Sequence, residues 1–128
     1  MGYVRSTIKL RNPKVGQLRE VVVHALVDTG SLMLCIPHAT AIELGLDMSG
    51  AAIRQVTTAD GSQHTVPYVG PVEIIFEDRN CFVGALVMGD EVLLGAVPME
   101  DMDLVVLPAH RKLVANPEFP KFPHALVK

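Results

Sequence analysis

Apolar residues recur along this chain in short runs, each ended by a cluster of turn-forming residues, and that pattern predicts strands. Residues 3–10 are rich in β-formers and stop at Arg11-Asn12-Pro13. Residues 19–27 are valine-rich and stop at Asp28-Thr29-Gly30-Ser31, after which Leu32-Met33-Leu34-Cys35-Ile36 runs to Pro37. Only residues 38–46 have helical spacing, with Ala39, Ile42 and Leu46 on one face and Gly45 near the end. Residues 53–58 and 63–69 flank Ala59-Asp60-Gly61-Ser62, and Asp-Gly between two extended runs is a strong hairpin signal. Residues 71–77 and 81–88 form a second expected hairpin around Glu77-Asp78-Arg79-Asn80. Gly89-Asp90 turns the chain into Val92-Leu93-Leu94-Gly95, and residues 103–107 read as a last core strand.

Many short strands with one short helix indicate an all-β fold, a small barrel or a sandwich. Residues 1–107 form the expected domain. Residues 108–128 differ in composition: Pro108, Pro117, Pro120 and Pro123 are four of the nine prolines. They read as a Pro-rich C-terminal extension, extended and poor in hydrogen bonds of its own. No internal repeat is visible, so a doubled domain is excluded.

The 128 residues are 49 % hydrophobic and 20 % charged, which excludes general disorder and suits one domain with its own core. The formal charge is −3, with no basic run and no tryptophan, so neither nucleic acid nor a membrane is an expected partner. No apolar run nears the roughly 18 residues of a spanning helix, and Met1-Gly2-Tyr3-Val4-Arg5 opens no signal peptide. Cys35 and Cys81 lack metal or redox spacing and read as small buried thiols of a cytoplasmic protein.

Asp28-Thr29-Gly30 is the segment in which chemistry is expected. As a bare tripeptide it is a turn, in which Asp caps and Gly supplies positive φ. Its setting between two apolar runs adds something, because a carboxylate there sits at the edge of a core. Val27-Asp28-Thr29-Gly30-Ser31 resembles the active-site loop of aspartic proteases. Leu93-Leu94-Gly95 resembles the second signature of that family, the segment beside the catalytic loop, and Asp103-Leu104-Val105-Val106 follows it in similar order. The turn Ala59-Asp60-Gly61-Ser62 is similar to the family's mobile flap. Together these resemble a single-domain, retropepsin-like aspartic protease of the non-viral kind. Ser31 departs from the viral members, which usually carry alanine there.

The resemblance implies a small closed β-barrel of the acid-protease type with one short helix, acting as a two-fold homodimer. It implies that Asp28 is catalytic, that Thr29 bonds across the two-fold axis, that Gly30 allows close approach and that the Ser31 hydroxyl orients the carboxylate. Ala59, Asp60, Gly61 and Ser62 would form the flap over an extended peptide or protein substrate bound as an added strand. No cofactor or metal is implied. Hydrolysis by carboxylates needs one ionised group to deprotonate water and one protonated group to polarise the scissile carbonyl. Two adjacent carboxyls divide those roles, as is established for aspartic-protease dyads. One Asp-Thr-Gly per chain then calls for a second chain.

Other candidates are weaker. His24, His38, His64, His110 and His124 share no ligand spacing, Ser31 lacks a nucleophile elbow, and Glu100-Asp101-Asp103 reads as a solvated corner. A non-catalytic dimeric barrel that binds peptides or a partner protein is the alternative of the same fold, and an unrelated β-domain is a third. Phe119-Pro120 and Phe122-Pro123 read either as cleavable aromatic–proline bonds or, with Leu126, as packing anchors.

Overall fold

The alternation in the first run produces an eight-residue strand, β1 (Val4–Arg11), which buries Ile8 and Leu10 and exposes Arg5, Thr7 and Lys9. The computed structural model describes residues 3–15 and 19–127. The second strand, β2 (Glu20–Val27), pairs antiparallel with β1 in unbroken register from Val4 opposite Val27 to Arg11 opposite Glu20. After it come β3 (Leu34–Ile36), the helix α1 (His38–Glu43), β4 (Ala52–Thr57), β5 (Gln63–Phe76), β6 (Arg79–Val87) and β7 (Leu93–Leu94).

These strands form one seven-stranded sheet in the order β1-β2-β7-β3-β6-β5-β4. The expected hairpins are present as β4–β5 and β5–β6, the latter with a tighter turn of Glu77 and Asp78. The long β5 serves both, because a register shift between Val69 and Val72 redirects it. Its second half also pairs with β1, from Lys9 opposite Ile75 to Arg11 opposite Glu73. The short β7 lies between β2, to which it is parallel, and β3, to which it is antiparallel. Ile8, Leu10, Leu34, Ile36, Ile74 and Leu94 are completely shielded and fill the centre.

Two expectations need correction. Among the described residues there are two short helices, not one, because α2 (Ala96–Asp101) follows β7 directly, and a 3₁₀ turn at Pro108–His110 adds a third helical segment. Pro98 disguised α2, yet a proline in the first helical turn loses no hydrogen bond that the helix would make. With six residues, α2 is also too short to show a period. The run at 103–107 forms β8 (Leu104–Leu107), but outside the main sheet: it pairs antiparallel with β9 (Lys112–Ala115). Residues expected to be extended and poor in hydrogen bonds therefore include a strand, and Leu113 within it is buried.

Past β9 the chain is fastened to Arg79, whose guanidinium is almost completely buried. Its Nη1 donates to the carbonyls of Met102 at 3.1 Å and Asp103 at 2.9 Å, and its Nη2 donates to the carbonyl of Phe119. The Asp103 carboxylate, 3.8 Å from the same guanidinium, accepts from the Asn116 side chain and from the backbone N–H of His124. Those two hydrogen bonds hold the Asp103 carboxyl below the usual carboxylate range. Phe119 stacks on His124 with ring centroids 4.1 Å apart. Of the three expected tail anchors only Phe119 packs, since Phe122 and Leu126 are 78 % and 92 % exposed.

Replacing Arg79 by methionine leaves three carbonyls without their buried donor and is expected to cost about 2–4 kcal/mol. In limited proteolysis the variant should release the residues after Asn116 faster than the parent does. Acid should act in the same direction. A lowered carboxyl pKa contributes stability above the ordinary aspartate value of about 3.9, and that stability is lost as pH falls through the folded-state value.

Candidate active site

The end of β2 and the end of β7 run side by side, and this pairing sets the position of Asp28. Its backbone N–H donates to the Leu94 carbonyl at 3.0 Å, one step beyond the bond from Leu26 to Val92. The chain then doubles back, with the Ser31 N–H on the Asp28 carbonyl at 3.1 Å. Ala96 and Val97 at the start of α2 donate to the carbonyls of Ser31 and Leu32, each at 2.8 Å. The loop is thus held at both ends by the segment 92–97. Gly95 permits this contact: a Cβ there would lie 2.4 Å from the Met33 carbonyl oxygen.

Asp28 is half-buried, and its Oδ1 accepts a hydrogen bond from the Gly30 N–H at 3.0 Å. Among the described residues it is this N–H, not the Ser31 hydroxyl, that bonds the carboxylate. Thr29 and Gly30 are exposed beside Asp28, as is Leu32 at 65 %.

Asp28 opens onto a cleft of about 680 Å³. One wall is the loop through Ser31 and Met33, and the other is the β4 side of the hairpin from Arg54 to Ala59. Cys35, Leu86, Met88 and Leu93 form an apolar floor. Burial pushes the Cys35 thiol up, and the negative charge of Asp28 adds to the effect. A separate cavity of about 450 Å³, bordered by Asn12, Asp47 and Tyr68, contains none of the expected site residues.

The hairpin tip is a compact hydrogen-bonded turn. The Asp60 carboxylate accepts from the Thr58 hydroxyl at 2.6 Å and from the Ser62 hydroxyl and N–H at 2.6 and 3.0 Å. The Ser62 hydroxyl in turn lies 3.0 Å from His64 Nε2. These donors hold the Asp60 carboxyl far below the ordinary carboxylate range. Gly61 has φ +85°, a left-handed conformation that favours glycine.

The structure therefore distributes the expected residues among different positions. Asp28, Gly30, Ser31, Ala59 and Leu93 line the cleft, whereas Asp60, Gly61 and Ser62 build the tip and Leu94 and Gly95 support the loop from behind. Arg54, Val56, Met33, Leu86 and Met88 also line it and were not anticipated. The alternation of β4 carries part of the signal, because Arg54 and Val56 share one face of the hairpin. Among the described residues no three His, Cys, Asp or Glu side chains gather closely enough to hold a metal ion. None of the described helices is long and apolar enough to cross a membrane.

A strand-borne carboxylate in a tight loop, buttressed by a Leu-Leu-Gly segment and faced by a hairpin, defines a retropepsin-like site. Solved structures share the fold. The retroviral protease-like domain of Ddi1 from Leishmania major superposes with a TM-score of 0.63 at 13 % identity, covering 91 % of this chain and 90 % of that one. The EIAV protease in complex with the inhibitor HBY-793 gives 0.59 at 16 % identity, covering 83 % and 93 %. Residues 14–117 match the aspartyl protease family, and the chain belongs to that family. No curated protein sequence matches it.

Gly95→Ala forces a methyl group against the Met33 carbonyl, and overpacking of this kind costs about 1–3 kcal/mol. Its thermal midpoint should fall, and amide exchange in residues 28–33 should accelerate more than in β1. Asp60→Ala should disorder the turn, seen as loss of the distinct Gly61 amide resonance. In the parent that resonance should persist from neutral pH to below about pH 4, because a carboxyl with a lowered pKa keeps its acceptors charged until the folded-state value is reached.

Proposed function

We propose that this protein is an aspartic endopeptidase whose active unit is a homodimer, with one Asp28 carboxyl from each chain at the two-fold axis. The observation that carries this reading is the placement of Asp28: half-buried, held by the Gly30 N–H and facing an apolar cleft under a hairpin. A chain with one such aspartate and no internal repeat needs a second copy to supply the other carboxyl. The exposed apolar groups beside the loop, Leu32 and Val97, support a protein interface on this face. The extra pairing of β1 with β5 supports a closed barrel as the rigid frame of each half. The unpaired, buried thiols of Cys35 and Cys81 support a cytoplasmic setting.

In the dimer the two carboxyls share one proton, because both cannot ionise side by side. The ionised member takes a proton from water as that water attacks the scissile carbonyl carbon. The protonated member gives its proton to the carbonyl oxygen, forming the tetrahedral diol. Collapse of the diol returns a proton to a carboxylate and delivers one to the leaving amine. Substrate lies extended between floor and hairpin, and the apolar floor of Cys35, Leu86, Met88 and Leu93 favours apolar side chains.

Asp28→Asn should preserve the fold and the dimer and lower kcat/KM for a cleaved peptide by about 10³-fold or more. Parent and variant mixed in equal amounts should exchange until about a quarter of the dimers carry two aspartates, with activity falling in proportion. Activity should also decline on dilution in step with the dimer population measured by sedimentation. Full activity of the Asp28→Asn protein, or of a monomer, overturns the reading.

A further inference from the structure

We propose that Arg54 makes this cleft selective for peptides that carry an acidic side chain beside apolar ones. The inference rests on the peptide-binding role given to the cleft above, but not on whether the bound peptide is cut. Arg54 and Asp28 are the charged residues of the cleft lining; the floor and much of the walls are apolar. Arg54 is exposed on its strand and borders the cleft, so a carboxylate bound there meets a cation at the edge of an apolar groove.

Arg54, like Arg19 and Arg111, pairs with no carboxylate among the described residues, and of these three it is the one that lines the cleft. Arg5 pairs with Glu91, Arg11 with Glu20 and Arg79 with Asp103, whereas among the described residues no acidic group pairs with Arg54. Its guanidinium instead stacks on the Tyr68 ring, with Cζ 4.0 Å from the centroid. Stacking leaves the edge of the guanidinium, where its N–H donors point, free to grip a carboxylate with two hydrogen bonds.

Tyr68 is itself held in place. It crosses the face of Gly84 on β6 so closely that a Cβ at residue 84 would lie 2.2 Å from the ring. The ring also packs against the buried cluster of Cys35, Val66 and Leu86. Gly84 makes room for Tyr68, Tyr68 supports Arg54, and the cation stands preorganised before a ligand arrives. The β4–β5 register agrees, since Arg54 lies opposite Val66 and Tyr68 is the diagonal neighbour on the same face.

The test uses fluorescein-labelled nine-residue peptides of mostly apolar sequence, with Glu, Gln or Lys placed in turn at each position. Binding to the full-length Asp28→Asn protein is measured by anisotropy at protein concentrations that favour the dimer, and cleavage by the parent is measured in parallel. At one or two positions Glu should bind about three- to tenfold more tightly than Gln, with Lys weakest. Arg54→Glu should invert that order, and Arg54→Lys should keep it. Comparisons are made within each variant, so a loss of stability shared by all peptides leaves the ranking readable; Arg54→Gln, which should abolish the ranking, covers a charge reversal that fails to fold. Equal binding of Glu and Gln peptides at every position, an order unmoved by Arg54→Glu, or no peptide binding at all overturns the inference. Charge-selective binding without cleavage upholds it while removing the protease reading, and cleavage indifferent to peptide charge does the reverse.

Discussion

The hydrogen bond from the Asp28 amide to the Leu94 carbonyl joins two segments far apart in the sequence, and the site depends on that junction. β2 delivers the aspartate, but a strand end alone would leave the following loop free to wander. The parallel pairing with β7 fixes its direction, and the bonds from Ala96 and Val97 fix its return. Gly95 is the residue that allows two backbones to lie this close. The family signature of two large apolar residues and a glycine thus has a mechanical meaning here: Leu94 is core, Leu93 is cleft floor, and Gly95 is clearance.

From that junction outward the molecule divides into parts of different character. The floor under the cleft is held by packing, through Cys35, Leu86 and their neighbours. The hairpin above it carries its own polar lock at Asp60 and contacts the floor through Val56 and Tyr68. The hydrogen bonds that fix the tip are thus separate from the apolar contacts that seat the hairpin's base. Selectivity and order at the tip are therefore assigned to different residues of one hairpin.

Much of this was legible in the sequence because it is local. Alternation gave the strands, Asp-Gly gave the hairpin, and the order of Asp28-Thr29-Gly30, flap and Leu93-Leu94-Gly95 pointed to the family. The features that were not legible depend on non-local geometry. Nothing around Arg54 distinguishes a cleft residue from a solvated one until β4 is placed over the floor. Arg79 falls in the expected turn Glu77-Asp78-Arg79-Asn80, where nothing in the sequence marks it as buried; it is buried because three carbonyls, one from the tail, converge on it. The helix α2 was hidden by its proline, and β9 by the prolines that follow it. Carbonyl partners in particular leave no trace in composition, since every residue has one.

The clamp around Arg79 has a consequence for how the chain reaches its final state during synthesis. A ribosome releases the N-terminal end first, so the main-sheet strands are exposed before the residues past Asn116 exist outside the tunnel. Until Phe119 and His124 emerge, the guanidinium has only the Met102 and Asp103 carbonyls as acceptors, and the Asp103 carboxylate has only the Asn116 side chain of its two hydrogen-bond donors. The tail then adds the third carbonyl acceptor to a buried charge, and a buried polar group is costly in proportion to the hydrogen bonds it lacks. The corner around Arg79 therefore gains its full set of hydrogen bonds only after residues 117–124 have left the tunnel, whereas the junction of Asp28 with Leu94 needs nothing beyond Val97.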